Sequence, residues 1–430
     1  MQFDLLHPAD QIVLIMQRIY AYGMTTTSGG NLSIKDDNGD IWITPGGIDK
    51  GSLTRGDIVR VQPDGTVIGP HKPSSEFPFH KTVYDRRPDL KSVLHAHPPA
   101  LVAFSIVRQV PQTFLIPHVH DLCGQIEYAA YALPGSKLLG DTIAEVFSRG
   151  LNTVLLENHG IVIGALDLFQ AFMAFETLDF CARLEISARR MGKIRTLAPE
   201  QVTLTARKRQ PPLPTFVPGP VNSAERAARR DLCALIHRSY DQRLVSSTQG
   251  TFSQRLEGNS FVITPYGVDR KYLEPSDLVR IENGRAEAGK TPSRSVSLHQ
   301  RLYEAHPDIA SVIIAHPPSA LVFAVTEASF DSRTIPESYI LLREVPKLPY
   351  GTNFTDPESI VKTLTSRTPI VLLENDCLMV AGTSLLNAFD RLEVADYSAQ
   401  ALIAAQELGP LVAINKEQVD ELVVAFKLEK

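Results

Sequence analysis

His95-Ala-His97 places two imidazoles at positions i and i+2, just after the apolar run of Val93 and Leu94. Strand side chains alternate between faces, so the pair would share one face. Two imidazoles a few ångströms apart can hold one divalent metal, although two structural histidines would read the same way. His159 lies in Glu157-Asn-His-Gly160, between the apolar runs Val154–Leu156 and Ile161–Ile163, where a turn would present it. Three neutral imidazoles with an open fourth position form a catalytic zinc arrangement. A lone turn histidine gives the same local sequence. In Pro73-Ser-Ser-Glu76, Ser74 reads as a helix cap, with Ser75 and Glu76 in the first turn of a helix through Phe77, His80 and Tyr84. Pro78 is tolerated that early. Hydroxyls at a helix start suit an anion, and a carboxylate beside a metal suits a general base. An ordinary capped helix with an acidic first turn fits as well. Gly29-Gly30-Asn31 and Pro45-Gly46-Gly47 offer backbone N–H groups to an anion, or are simply turns.

The elements that must position these residues are written twice. Ser28-Gly-Gly-Asn-Leu-Ser33 matches Thr248-Gln-Gly-Thr-Phe-Ser253, and Ile41–Asp49 matches Phe261–Asp269. Gly56–Arg60 matches Ser276–Arg280, Arg87–Pro99 matches His306–Pro318, and Val154–Gly160 matches Val371–Cys377. Five blocks in one order, at offsets drifting only from 220 to 217, make the chain a tandem duplication. Five prolines between Pro211 and Pro220 mark the joint as an extended linker. The expected layout is a first domain over 1–206, a linker over 207–222 and a second domain over 223–430.

Each half reads as mixed α/β. A helix with Ile12, Ile15, Met16, Ile19 and Tyr20 on one face opens the first half. Leu232, Leu235, Ile236 and Tyr240 repeat the pattern behind a Ser223 cap. Strands are expected at Ile41–Thr44, Ser92–His97, Val154–Leu156 and Ile161–Ile163. A closing helix is expected over Leu168–Arg190.

Composition narrows the function classes. With 43% hydrophobic and 21% charged residues, the 430-residue chain can bury a core. A net charge of −5 and one short basic cluster, Arg207–Arg209, give little support to a nucleic-acid partner. No run approaches the ~20 apolar residues of a membrane span, and no signal segment is visible. Four widely spaced cysteines without a CxxC fit a reducing cytoplasm.

Taken together, Gly29-Gly-Asn-Leu-Ser33, Ile43-Thr-Pro-Gly-Gly47, Pro73-Ser-Ser-Glu76, His95-Ala-His97-Pro and Glu157-Asn-His-Gly160 resemble the class II aldolase/adducin family. The resemblance covers almost all of residues 8–195 and returns in weakened form in the second half. It implies two tandem three-layer α/β/α domains, each a mainly antiparallel central sheet flanked by helices. It implies that His95, His97 and His159 bind one Zn²⁺, or another divalent metal, and that Glu76 exchanges the proton. It implies that Asn31, Gly46, Gly47, Ser74 and Ser75 hold a substrate phosphate. His120 and Asp121, in Pro117-His-Val-His-Asp121, are the candidates for a further proton shuttle. The implied activity is a zinc-dependent aldolase, a lyase that cleaves a small sugar phosphate by retro-aldol chemistry through a zinc-bound enediolate. Sugar-phosphate 4-epimerisation and decarboxylation of a 3-oxo-sugar-acid phosphate use the same site. An adducin-like interaction protein without catalysis is the alternative from another class, and the retained histidines and Ser-Ser-Glu argue against it.

The second half keeps the scaffold and loses these residues. His95 corresponds to Ile314, His159 to Asp376, Glu76 to Ser295, Gly160 to Cys377, Asn31 to Thr251 and Ser75 to Arg294. Only His316 remains of the three imidazoles. The expectation is a catalytically silent copy without tight zinc. Sites in the family lie between subunits of a fourfold tetramer, so two tandem chains are expected to form a homodimer with a pseudo-fourfold ring.

Overall fold

The helix-forming apolar spacing of residues 8–21 is realised as α1 (Pro8–Ala21). Pro8 takes the first turn, and the His7 Nδ1 atom caps it by accepting from the Ala9 N–H at 3.1 Å. Ile12, Ile15, Met16 and Ile19 are buried, whereas Tyr20 remains 37% exposed at the edge of the stripe. The computed structural model describes residues 3–202 and 212–428. Residues 203–211, which include the Arg207–Arg209 cluster and the start of the proline-rich stretch, lie outside the described residues.

Two compact units result. One comprises Gln2–Thr113 with His118–Arg183, the other Leu184–Lys430 with Phe114–Pro117. In the first, β1 (Asn31–Lys35), β2 (Ile41–Ile43), β3 (Val59–Val61), β4 (Val67–Ile68), β5 (Ser92–Ala96), β6 (Ile126–Ala129), β7 (Thr153–Leu156) and β8 (Ile161–Ala165) form an eight-stranded sheet. Its order is β4-β3-β2-β1-β5-β8-β7-β6, antiparallel throughout except for the parallel β6–β7 pair. The helices that follow α1 are α2 (Phe77–Arg86), α3 (Pro99–Ile106), α4 (Pro117–Cys123), α5 (Lys137–Ser148) and α6 (Leu168–Met191). Val93, Val154, Leu156 and Val162 face α2 and α5 through Phe79, Val83, Ile143, Val146 and Phe147. The intervening Leu94, Leu155 and Ile161 are equally buried and, by the period of two, point to the opposite face. The sheet is therefore covered on both sides, as a three-layer α/β/α domain requires.

The second unit repeats the plan. Its strands are β9 (Thr215–Phe216), β10 (Thr251–Arg255), β11 (Ser260–Ile263), β12 (Val279–Glu282), β13 (Arg285–Glu287), β14 (Ser311–Ala315), β15 (Lys347–Leu348), β16 (Ile370–Leu373) and β17 (Leu378–Gly382). The order is β15-β16-β17-β14-β10-β11-β12-β13-β9, the first sheet's order with one strand added at the edge. That strand comes from the proline-rich stretch and pairs in parallel with β13. Prolines at 214 and 218 are tolerated there because an edge strand leaves half its donors unpaired. Register is also repeated: Asn31 pairs with His95 in the first sheet, and Thr251 with Ile314 in the second.

Two local expectations shift. The helix over Ser223–Asp241 is capped by Asn222, whose side chain accepts from the Glu225 N–H, and Ser223 is its first residue. The turn at Ser74–Glu76 precedes α2, which starts at Phe77 with Glu76 as its cap residue. Among the described residues, no helix is long and apolar enough to cross a membrane. All four cysteines are free and buried.

Candidate metal centre

Strand β5 fixes His95 by its ladder to β1 and β8, between Asn31 and Val162. The pairing ends at Ala96, and Pro98-Pro99 cannot continue it, so His97 stands just past the strand end on the same face. His159 sits in the tight turn between β7 and β8, where Asn158 takes φ 54°. The three rings converge: centroids lie 4.6 Å apart for His95–His97, 4.8 Å for His95–His159 and 5.0 Å for His97–His159. One nitrogen from each lies within 4.8 Å of the others.

Glycine makes room for this cluster. A Cβ on Gly160 would fall 2.5 Å from His97 Cδ2 and 2.6 Å from the Ala96 carbonyl oxygen. A Cβ on Gly29 would fall 2.9 Å from His97 Nδ1. His97 is thus packed against two backbone stretches that tolerate no side chain.

The donor set fits a divalent metal. His95 Nδ1–H donates to the Ile161 carbonyl at 2.8 Å, which leaves the Nε2 lone pair pointing into the cluster. Burial, reinforced by neighbouring histidines, pushes His95 and His97 down to about 3, and burial also lowers His159. Neutral imidazoles are ligand-competent. Glu76 completes the ring of groups. Its Oε2 lies 3.3 Å from His95 Nε2, and its Oε1 lies 3.7 Å from His159 Nε2. Oε1 is buried without a hydrogen-bond partner. A buried carboxylate oxygen without a hydrogen-bond partner, facing the His159 nitrogen, is what a cation or a reacting proton would satisfy.

The proposed anion-binding residues fall in two groups. An isolated bridge joins Pro45 to Pro73, with Gly46 N–H donating to Lys72 O and Ser74 N–H to Thr44 O. This brings Gly46 beside Ser74 and Ser75, next to Glu76, with Gly47 exposed at φ 70°. Buried Lys50 braces the loop by donating to the carbonyls of Pro45 and Ile48. Asn31 is committed elsewhere: its Nδ2 donates to Glu76 Oε2 at 2.7 Å, and its Oδ1 meets His80 Nε2 at 2.5 Å. His120 and the exposed Asp121 sit on α4, apart in sequence from the strands and turn that carry the triad. Neither Lys50 nor the fully buried His80 belongs to a motif that marks it as a candidate in the sequence. Their signal was the duplication itself, which repeats them as Arg270 and His299.

The second unit shows the same place without the ligands. Thr251 Oγ1 meets Ser293 Oγ at 2.7 Å, and Asp376 accepts from Asn353 Nδ2 at 2.8 Å. Burial pushes the Asp376 carboxyl up to about 6. Arg270 braces its loop through the Gly250, Pro265 and Val268 carbonyls, as Lys50 does in the first unit.

The chain matches the family described as Class II Aldolase and Adducin N-terminal domain over residues 10–186 and again over 230–403. It is 31% identical over 204 residues to the 5-deoxy-D-ribulose 1-phosphate aldolase of Bacillus thuringiensis serovar kurstaki, covering 46% of this chain and 93% of that one. It is 29% identical over 177 residues to a 3-oxo-tetronate 4-phosphate decarboxylase of Haemophilus influenzae, covering 40% and 84%. A solved L-fuculose 1-phosphate aldolase is 31% identical, with a TM-score of 0.43, covering 47% of this chain and 95% of that one.

Proposed function

Because the chain belongs to the class II aldolase and adducin family, we propose that its first half is a metal-dependent lyase that cleaves a carbon–carbon bond of a small sugar phosphate. The observation that carries this reading is the closed group of His95, His97, His159 and Glu76, with Glu76 Oε1 buried and unpartnered. The three imidazoles would hold one divalent ion, zinc or another metal that imidazole suits. Bound there, the ion would act as a Lewis acid that lowers the cost of the negative charge developing beside a carbonyl.

The chain's own residues supply the rest. The corner formed by Gly46, Gly47, Ser74 and Ser75 would orient the phosphate. For Asn31 to join them, its Nδ2 would have to leave Glu76. In cleavage, Glu76 in its acid form gives a proton to the carbon left electron-rich when the bond breaks. In synthesis, its carboxylate removes that proton. His120 or Asp121 would take the hydroxyl proton released as the second carbonyl forms. Decarboxylation of a 3-oxo-sugar-acid phosphate leaves the same electron-rich carbon, and the relative from Haemophilus influenzae carries that name. 4-Epimerisation breaks and remakes the same type of bond.

A panel of ketose phosphates and 3-oxo-sugar-acid phosphates, with aldehyde, epimer and carbon dioxide detection, tests the reading. Turnover that depends on added divalent metal supports it. No turnover of any member by metal-replete protein would remove it in favour of a non-catalytic, adducin-like role.

The second half, from about 223 onward, is proposed as a silent copy that completes an interface. Two chains would then form a ring of four alternating halves in the cytoplasm. A particle mass of twice the 47.4 kDa chain is expected from light scattering at micromolar concentration. A monomer mass would rule the ring out.

A further inference from the structure

Glu76 does not stand alone on its non-metal side. It is the end of a buried chain of hydrogen bonds that runs through α2 and β1. Asn31 Nδ2 donates to Glu76 Oε2, Asn31 Oδ1 meets His80 Nε2, His80 Nδ1 meets Ser33 Oγ at 2.7 Å, and Ser33 Oγ meets Tyr84 OH at 2.7 Å. Asn31, Ser33, His80 and Tyr84 are all at most 3% exposed. His80 lies one helical turn beyond Glu76, so the two share a face of the chain.

The polarity of this chain is fixed by chemistry. The Asn31 NH₂ faces Glu76 Oε2 and donates to it, the arrangement that a carboxylate, which only accepts, requires. Asn31 then offers its carbonyl oxygen to His80, and His80 must carry its proton on Nε2. Burial and the nearby His95 hold the ring neutral, so Nδ1 is bare and takes the Ser33 hydroxyl proton. Were the Asn31 amide reversed, its oxygen would face the carboxylate, two acceptors in contact, and Glu76 would be driven off its present pose.

We infer that His80 is a positioning residue: its Nε2–H locks the Asn31 amide, which saturates Glu76 Oε2 and leaves Oε1 as the oxygen that exchanges the proton. The inference rests on the acid–base part assigned to Glu76 above. It agrees with the placement of Oε1, which has no hydrogen-bond partner and faces His159.

The duplication separates this part from a merely structural one. In the second unit, Ser253 Oγ still meets His299 Nδ1 at 2.7 Å and Tyr303 OH at 2.6 Å. Asn31 is replaced by Thr251, Glu76 by Ser295, and His299 Nε2 is buried without a partner. The outer half of the chain persists where there is no carboxylate to hold, so it serves the scaffold. The link from Nε2 to an amide occurs only where a carboxylate must be aimed.

Two substitutions divide the ring's two functions. In His80→Gln, the amide nitrogen reaches the Nε2 position and can still donate to Asn31. In His80→Asn, it reaches only the Nδ1 position, beside Ser33. Expected for His80→Asn is a fall in kcat of about 10–100-fold, the range for an outer-sphere partner, with KM and metal content little changed. His80→Gln should keep most of the kcat. Equal losses in the two variants would overturn the assignment. His299→Asn should lower the thermal midpoint comparably and leave kcat alone. A kcat loss there equal to that of His80→Asn would also overturn it. A second readout needs no turnover. In ¹⁵N spectra of histidine-labelled wild-type protein, the His80 signal, identified by its loss in His80→Gln, should show the Nε2–H tautomer. An Nδ1–H tautomer would overturn the relay whatever the activity. Wild-type protein that turns over no substrate while showing the Nε2–H tautomer would sink the catalytic reading and leave the relay standing.

Discussion

Replacing Glu76 by Gln should lower kcat by about 10²–10⁴-fold, the usual worth of a positioned acid–base group. Gln has the same shape. Its carbonyl oxygen can still accept from Asn31 Nδ2, so the local fold keeps its main tether. What disappears is the group that can gain and lose a proton beside His159. Metal content, read by elemental analysis, should stay at the wild-type level, and thermal unfolding should hardly move. The variant would retain substrate binding, so a loss confined to KM is not the expected pattern. A rate within tenfold of wild type would remove Glu76 from the chemistry and transfer the proton to another residue.

The second large effect concerns the metal. Wild-type protein dialysed against zinc and then against buffer should retain one ion per chain. His95→Ala and His97→Ala should each lower affinity well beyond the ~10–100-fold typical of losing an outer-sphere partner, so that retained metal falls near zero. His316→Ala should retain the full ion, because Ile314 and Asp376 leave no imidazole set around it. Two ions per wild-type chain would overturn the silent second copy. The pH dependence has a definite sign. An ordinary imidazole protonates near 6.5 and would release metal as pH falls through that value. His95 is pushed down to about 3 by burial and by His159, and His97 likewise by burial, His95 and His159. Protonation therefore competes for their lone pairs only at much lower pH, and occupancy should hold between pH 7 and 5. Release with a midpoint near 6.5 would contradict that neutral, buried state.

Much of this arrangement was legible before any coordinates. His95-Ala-His97 reads as one-sided because a strand has period two, and the β5 ladder realises that period. The turn at Glu157–Gly160 reads from two apolar runs with a glycine behind them. The repeat predicts two sheets of one topology, and the strand orders coincide apart from β9. What sequence could not supply was which polar groups face one another. Ser74 reads as a cap, yet a turn in which Glu76 N–H reaches Ser74 Oγ comes first, and the helix begins at Phe77. Periodicity cannot distinguish a turn from a first helical turn, since both bend the chain alike. Asn31 reads as an anion ligand from its glycines, but its partners lie 45 and 49 residues away on another element. His80 was visible as a helix residue, and only the register of β1 against β5, with α2 packed across them, gives it a neighbour. Lys50 stayed hidden because the carbonyls it braces belong to the loop just before it.

The glycine at position 160 bears on whether a metal site could be built into the second half. At the matching place the second copy carries Cys377, whose Cβ is real and buried. In the first copy an atom there would collide with both the His97 ring and the Ala96 backbone. If the second copy held the same backbone there, the Cys377 Cβ would crowd His316 out of the stance that His97 takes. Restoring histidines at 314 and 376 and a glutamate at 295 would still leave the third ligand without room. An engineer seeking a second site in that half would therefore have to remove atoms at Cys377 before adding ligands.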